Sequence, residues 1–412
     1  AEAHFLIDGN PLDRFVTTAP TAADLSAFDC IIKSPGIGGY RLELLDAQRN
    51  GTRFTSATAL WFAEHPEARV IGVTGTKGKS TTSALIAHLL RGNGRRTALA
   101  GNIGLPVLEL LDPQVAPEWW VLELSSFQTR QADHLALGVI TNIEEEHLDW
   151  HGSRERYVSD KLAMADVSDV LLVNANHADL LQRTAGHADR RLFGNAQGWH
   201  LDAAHIRRGD QAVFERSRLP LPGWHNAMNA CAALAALEIL GEDALAAAQH
   251  LAVFQPLPHR LQALGERDGR SWIDDSIATT PQATIEALRS LPGRAVSVIV
   301  GGHERGLDWQ VLADYVLANP PSLIVANGAN AARIGHVLRT TKVDCKLEIR
   351  TDLSGAVACA RELTEQGGVI LLSPGAPSFD QFHDYAERGR CFAELAGFDA
   401  QAIGQIEGLG IA

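Results

Sequence analysis

The sequence has no long apolar run. Every hydrophobic stretch is soon broken by glycine, proline or charge, so no membrane-spanning helix is expected. Its start, Ala1-Glu2-Ala3-His4, lacks a basic stretch followed by an apolar one, and no signal peptide is expected there. Cysteine is scarce: Cys30, Cys231, Cys345, Cys359 and Cys391 are the five, scattered and without a C-x-x-C pair. An odd, dispersed set supports neither a disulfide framework nor a zinc site, and reduced thiols in the cytoplasm are the simple reading. Basic residues are outnumbered, 36 Lys and Arg against 49 Asp and Glu, and the net charge is −13. With no long Lys/Arg run to offset that charge, nucleic acid is not an expected partner. Repeats and low-complexity segments are missing too.

What is present is alternation. Cys30-Ile31-Ile32, Val70 to Val73, Trp120-Val121-Leu122, Val170 to Val173, Val296 to Val300, Leu323-Ile324-Val325 and Val369 to Leu372 read as strands. Amphipathic or Ala-rich stretches such as Thr81 to Leu90, Ala227 to Leu240 and Ala356 to Glu365 read as helices between them. Such alternation predicts α/β folds with mainly parallel sheets. A chain of 412 residues is too long for one core. Breaks near Thr55 to Ala59 and at Phe254-Gln255-Pro256-Leu257-Pro258 divide it into residues 1–58, 59–256 and 257–412.

The strand Val70 to Val73 runs into Thr74-Gly75-Thr76-Lys77-Gly78-Lys79-Ser80-Thr81-Thr82 and then an apolar helix. Strand, glycine loop, Lys-Ser and helix is a phosphate-binding order. Glycines let backbone N–H groups converge on phosphate oxygens, and the helix N-terminus adds partial positive charge. Lys79 would neutralise phosphate, and Ser80 or Thr81 would offer a hydroxyl to Mg²⁺. Five residues, not the four of the strict motif, separate Gly72 from Gly78. The bland alternative, a strand–helix turn with incidental glycines, explains the Gly-Lys-Ser junction poorly. The loop indicates a nucleotide and leaves its use open.

Further blocks follow in order: Gly101-Asn102-Ile103-Gly104, Glu123 to Gln128 (Glu-Leu-Ser-Ser-Phe-Gln), Asn142 to His151, Tyr157 to Lys161, Gly223 to Asn229, Leu257-Pro258-His259-Arg260, and Leu372-Ser373-Pro374 through Ser378-Phe379-Asp380-Gln381-Phe382. With the phosphate loop they resemble the Mur ligase family over nearly the whole chain, with Glu146 where the family has Asp. The resemblance implies three α/β domains: a Rossmann-like N-terminal domain for a uridine diphosphate group, here short and opening past the usual first strand and glycine turn; a central ATP-binding domain; and a Rossmann-like C-terminal domain for the amino acid. It implies a two-step reaction in which ATP phosphorylates a carboxylate and an amine displaces the phosphate. Cofactors would be ATP and Mg²⁺, the substrates UDP-N-acetylmuramoyl-L-alanine and glutamate, the setting cytoplasmic peptidoglycan synthesis, and the default state a monomer.

Residue roles follow from the same resemblance. Gly75, Thr76, Lys77, Gly78, Lys79, Ser80, Thr81, Asn226, Asn229, Arg260 and Asp275 would hold ATP. Glu123, His147, Ser80 and a carbamylated Lys161 would hold the metal, with Lys79, Glu123, His147 and Lys161 as the catalytic set. Asn102, Ser125, Ser126, Gln128, Thr279, His303, Arg305, Ser378, Phe379 and Tyr385 would contact substrate. On their own, Glu123 reads equally as a surface glutamate, His147 as a loop histidine in an acidic run, Lys161 as an ordinary helix lysine, Arg260 as a salt-bridge partner, and Asn226 and Asn229 as helix caps.

The third part departs from the D-glutamate-adding pattern. Asp275-Ser276-Ile277-Ala278-Thr279-Thr280-Pro281 has Ile277 where that group has a lysine contacting the glutamate carboxylate. Losing a cation from a carboxylate site is costly unless the amino acid sits differently. Together with Lys33-Ser34-Pro35-Gly36-Ile37, this looks closer to a subgroup that adds L-glutamate. D-glutamate addition remains the alternative. A folate polyglutamylating ligase is a further one, opposed by the Ser-Ser-Phe-Gln and Ser-Phe-Asp-Gln-Phe blocks. A nucleotide-binding module without catalysis is another, opposed by Lys79, Glu123, His147 and Lys161.

Overall fold

The computed structural model describes residues 5–7, 16–18, 21–34, 37–144, 153–400, 406 and 408–412. The chain forms two compact units. The first is Ala1–Pro220, Trp224–Phe254 and Gly408–Ala412; the second is Leu221–Gly223 and Gln255–Glu407.

The first unit is built on a seven-stranded sheet in the order Arg190–Phe193, Ser168–Asn174, Leu135–Ile140, Val70–Thr74, Trp119–Glu123, Thr97–Gly101, Gly410–Ile411. Its neighbours pair in parallel except the last. Val70–Thr74 and Trp119–Glu123 are buried along their full lengths, as strands covered on both faces must be. That requirement explains why their sequences are continuous apolar runs rather than alternating ones. Helix Lys79–Gly92 packs against the sheet and against helix Trp224–Ile239, whose alanines allow close approach. Ahead of this sheet, Cys30–Ile32 and Arg53–Thr55 pair in parallel around helix Leu42–Arg49, with Leu25, Leu44 and Ala47 as their small core.

The second unit has a six-stranded sheet in the order Gln262–Arg267, Arg270–Asp274, Val369–Leu372, Val296–Val300, Leu323–Ala326, Lys346–Ile349. Only the first pair is antiparallel. Two apolar clusters cover the two faces, one including Trp309, Leu312 and Ile334, the other Trp272, Val357 and Phe392. Among the described residues no helix is long and apolar enough to cross a membrane.

The alternating α/β pattern with mainly parallel sheets is what the sequence implies. It does not announce the meander Trp199–Leu201, His205–Arg208, Gln211–Glu215. These short polar strands are tied to helix Trp224–Ile239 through Glu238, which accepts from Trp199 Nε1 at 2.7 Å and from Arg208 Nε and Nη2, each at 2.7 Å. The Arg208 guanidinium holds the Glu238 carboxyl below its ordinary range.

Gly410–Ile411 closes one edge of the first sheet, antiparallel to Thr97–Gly101. Arg91 fastens it: Nη1 donates to Gly408 O at 2.6 Å, and Nη2 to Gly410 O at 2.9 Å and Thr97 O at 2.8 Å. Edge strands need such cover, since their open N–H and C=O groups otherwise pair with other chains. Arg91→Met should cost about 1–3 kcal/mol, because carbonyls lose a charged donor. Urea unfolding checks this, and amide exchange should quicken first at Thr97–Gly101.

Candidate functional site

The residues singled out in the sequence fall into two groups, one in each unit. In the first unit, the phosphate loop follows the central strand Val70–Thr74 at its C-terminal end, where α/β sheets present ligand sites. Gly75 and Gly78 have φ of 148° and 81°, outside what a side chain readily adopts. A Cβ on Gly75 would sit 1.9 Å from Thr141 Oγ1, and one on Gly78 2.5 Å from Asn229 Oδ1. Glycine is therefore required by crowding as well as by dihedral angle.

The loop is fixed chiefly by side chains just past strand Leu135–Ile140. Asn142 Oδ1 accepts from Thr76 N at 3.1 Å and Lys77 N at 2.8 Å, and Asn142 Nδ2 donates to Lys77 O at 3.0 Å. Thr141 Oγ1 donates to Lys77 O at 2.6 Å. Thr76 Oγ1 accepts from Glu144 N at 2.8 Å and lies 2.8 Å from the Tyr157 hydroxyl. Lys79 Nζ donates to Thr76 O at 2.9 Å. Gly78 ends the loop as the helix N-cap without a side-chain cap, so Lys79, Ser80 and Thr81 form the first turn at the partially positive end of the helix.

Lys161 is 2% exposed, and its Nζ donates to Gly75 O at 2.6 Å. It lies on helix Arg154–Leu162, whose neighbouring Asp160 accepts from Tyr40 at 2.8 Å and pairs with Arg130. Glu123 ends strand Trp119–Glu123 at 1% exposure. Its Oε1 accepts from Asn102 Nδ2 at 3.0 Å, while Oε2 is buried without a hydrogen-bond partner. A buried carboxylate oxygen left open is costly unless a cation or donor meets it. Among the described residues no three His, Cys, Asp or Glu form a metal cluster; His147 lies outside the described residues, as do Pro35 and Gly36.

Asn226 and Asn229 are buried within the first two turns of helix Trp224–Ile239, so they lie inside the helix rather than capping it. Ser125 and Gln128 bond each other at 2.9 Å, and Gln128 Nε2 donates to Thr58 Oγ1 at 3.2 Å, bolting that turn to helix Ala57–Glu64. Ser126, also buried, belongs to the same turn.

In the second unit, the candidates gather beyond the C-terminal ends of the parallel strands. Asp275 follows Arg270–Asp274, Ser373 follows Val369–Leu372, and Gly301 follows Val296–Val300. Asp275 Oδ1 accepts from Leu261 N at 3.2 Å and Oδ2 from Ser373 Oγ at 2.8 Å. Burial pushes its carboxyl up to about 7. His259 and Leu261 flank Arg260 in left-handed conformation, and His259 Nδ1 meets Asp274 Oδ2 at 2.6 Å. Ser378 is buried, Thr279 half-buried, and His303 half-buried. Arg305, Phe379 and Tyr385 are exposed, and the rings of His303 and Phe379 meet edge to face at 6.3 Å.

Arg388 was not singled out in the sequence. It is 3% exposed; Nε and Nη2 donate to Ser276 Oγ at 3.0 Å and Ser276 O at 2.8 Å, and burial pulls its guanidinium down to about 10. Helix Tyr385–Ala396 reads as an ordinary amphipathic segment, so nothing local marks that arginine. Asn142 and Thr141 were likewise given no role; the sequence signal available was their position just after the strand beside the phosphate-loop strand.

Two mainly parallel α/β sheets and a pinned phosphate loop define a nucleotide-binding protein of the P-loop kind. The Mur ligase middle domain matches residues 73–237. The chain is 49% identical over 411 residues to the UDP-N-acetylmuramoyl-L-alanine–L-glutamate ligase of Xanthomonas euvesicatoria pv. vesicatoria, covering 96% of this chain and 88% of that protein. The protein of the same description from Salinispora tropica is 39% identical over 401 residues, 93% of this chain and 88% of that one. Among solved structures, the UDP-N-acetylmuramate-alanine ligase of Thermotoga maritima matches with a TM-score of 0.66 at 19% identity, covering 89% of this chain and 84% of that one. The Thermotoga maritima MurF ligase in complex with ADP matches at 0.63 and 18%, covering 92% and 99%. The chain belongs to the Mur ligase family and is a ligase.

Asp275 carries a testable pH signature. Its folded-state carboxyl titrates near 7, above the unfolded value of 3.8, so between these values the folded state holds the extra proton. Stability should fall as pH rises from about 4 to about 7 through this group. Asp275→Asn should flatten that slope in urea titrations across the window; an unchanged slope would mean the carboxyl is ionised when folded.

Proposed function

We propose that this ligase joins L-glutamate to UDP-N-acetylmuramoyl-L-alanine at the expense of ATP. The observation that carries the chemistry is the open, buried Oε2 of Glu123 in the unit that holds the pinned phosphate loop. The choice of substrates rests on the 49% identical relative and on Ile277 in place of a cation.

In this reading the carboxylate of the alanyl substrate attacks the γ-phosphorus of ATP and ADP leaves. The neutral glutamate amine then attacks the acyl carbon, inorganic phosphate departs with the bridging oxygen, and the nitrogen sheds one proton and keeps the other as the amide N–H. Gly75 to Thr81 hold the phosphates through backbone N–H groups and the Lys79 ammonium. Asn226, Asn229, Arg260 and Asp275 are assigned to the nucleotide. Glu123, Ser80, His147 and a carbamylated Lys161 would hold Mg²⁺, which neutralises phosphate charge when bound. Carbamylation leaves one N–H on Lys161 Nζ, enough to keep Gly75 O, while turning a buried cation into an anion. Asn102, Ser125, Ser126 and Gln128 are assigned to the UDP-linked substrate, Ser125 and Gln128 chiefly by shaping their turn. Thr279, His303, Arg305, Ser378, Phe379 and Tyr385 are assigned to glutamate, with Arg305 and His303 supplying the donors that Ile277 does not. The three corresponding domains would be residues 1–58, 59–256 and 257–412, except that Gly408–Ala412 belong with the first unit, where Gly410–Ile411 pairs with its sheet.

Phosphate release with UDP-N-acetylmuramoyl-L-alanine, Mg²⁺·ATP and a panel of amino acids tests the assignment. L-glutamate should support turnover at least about tenfold better than D-glutamate, a discrimination of ~1.4 kcal/mol. Preference for the D form would overturn the stereochemical reading; turnover with a folate substrate instead would overturn the substrate class.

A further inference from the structure

Helix Arg154–Leu162 is gripped on two neighbouring faces, each through residues one turn apart. Tyr157 and Lys161 face the phosphate loop. The Tyr157 hydroxyl lies 2.8 Å from Thr76 Oγ1, and Lys161 Nζ donates to Gly75 O at 2.6 Å. Arg156 and Asp160 face Tyr40. The Arg156 guanidinium lies over the Tyr40 ring, 5.0 Å from its centre. The Tyr40 hydroxyl donates to the Asp160 carboxylate, 2.8 Å from Oδ1 and 3.0 Å from Oδ2. Residues four apart on a helix stand one above the other, and consecutive residues point about 100° apart. The two pairs are shifted by a single position, so the helix joins Tyr40 to the phosphate loop as a strut.

The Asp160 end of the strut is firmly held. Its side chain is 2% exposed, and a buried carboxylate keeps its charge only where donors meet it. Arg130 Nε supplies a second donor to Oδ1, and Arg130 Nη2 donates to Ser159 Oγ at 2.7 Å. Thr129 Oγ1 donates to the Asp160 carbonyl at 2.6 Å. Burial and the Asp160 carboxylate hold the Tyr40 hydroxyl above its ordinary range, so it stays a donor at neutral pH. Three pieces of chain distant in sequence thus converge on one carboxylate, and the next residue along is Lys161.

We propose that Tyr40 is a positioning residue for phosphoryl transfer: through Arg156 and Asp160 it fixes the helix whose next face sets Tyr157 and Lys161 against the phosphate loop. This rests on the roles given above to Lys161 and to the loop. Lys161 meets the loop at Gly75, whose φ is 148°. Glycine has more backbone freedom than any other residue, so slack in the helix reaches the loop where it can drift most.

Tyr40→Phe keeps the ring on Arg156 and removes only the hydroxyl. Two measurements on the full chain read its effect. In calorimetric titration without Mg²⁺, ATP affinity should fall about threefold; this arm needs no acceptor substrate, so it is independent of the choice of amino acid. In turnover with saturating Mg²⁺·ATP, UDP-N-acetylmuramoyl-L-alanine and L-glutamate, kcat per ATP-binding site should fall about fivefold, with KM for L-glutamate unchanged. Either the ATP affinity or kcat unchanged overturns the proposal, and a lower melting temperature in its place marks Tyr40 as structural. Asp160→Ala should lower kcat about tenfold, and adding Tyr40→Phe to it should change nothing further, because the hydroxyl acts through that carboxylate. A further fall in the double variant overturns the route through Asp160. Lys161→Met separates this proposal from the reading beneath it. If Lys161→Met abolishes turnover while Tyr40→Phe leaves it intact, the positioning role falls and the Lys161 assignment stands. If Lys161→Met leaves turnover intact, the assignment falls and the positioning role with it.

Discussion

The Asn142 side-chain amide is the interaction on which the nucleotide half depends. Phosphate loops crowd backbone N–H groups toward one point, and that arrangement is unfavourable until an anion fills it. Asn142 and Thr141 hold the loop's peptide groups, two N–H groups and one carbonyl in all. Thr76 and Tyr157 extend the lattice to the helix that carries Lys161. The loop is thus preorganised, and the ordering cost falls on folding rather than on binding. Glycine at positions 75 and 78 follows from the lattice, because Thr141 and Asn229 occupy the space a side chain would need.

The two units solve different electrostatic problems. The first gathers donors for phosphates and leaves a buried carboxylate oxygen open on Glu123. An open anion next to an anion-binding loop makes sense where a divalent cation joins them. The second buries Asp275 among donors and keeps its carboxyl near neutrality, while Arg388 supplies a buried positive charge close by. Arg305, exposed, sits on a loop whose neighbours are held by Pro374, Pro377 and Asn330 on one side and by Arg333 on the other.

Much of this was legible in the sequence because buried parallel strands must be apolar throughout. Val70 to Val73 and Val296 to Val300 announce themselves for that reason. The phosphate loop was legible because glycine spacing and Lys-Ser have few other uses. The meander Trp199–Glu215 was not, since its short polar strands take their register from Glu238 and the helix behind it rather than from any period of their own. Arg388, Asn330 and Arg333 were hidden for a related reason: each works through a residue distant in sequence, and its own helix pattern is unremarkable. Ser125 and Gln128 show the reverse case, where the motif was legible but the side chains bond mainly to each other and to Thr58.

The central claim is that the pinned loop and the open Glu123 oxygen form one site for a metal-bound nucleotide. Calorimetric titration of ATP into the chain, with and without Mg²⁺, compared between the native protein and Glu123→Gln, tests it most directly. The account predicts that Mg²⁺ tightens ATP binding in the native protein and that Glu123→Gln loses most of that increment while keeping metal-free affinity. An equal Mg²⁺ increment in both proteins would contradict it.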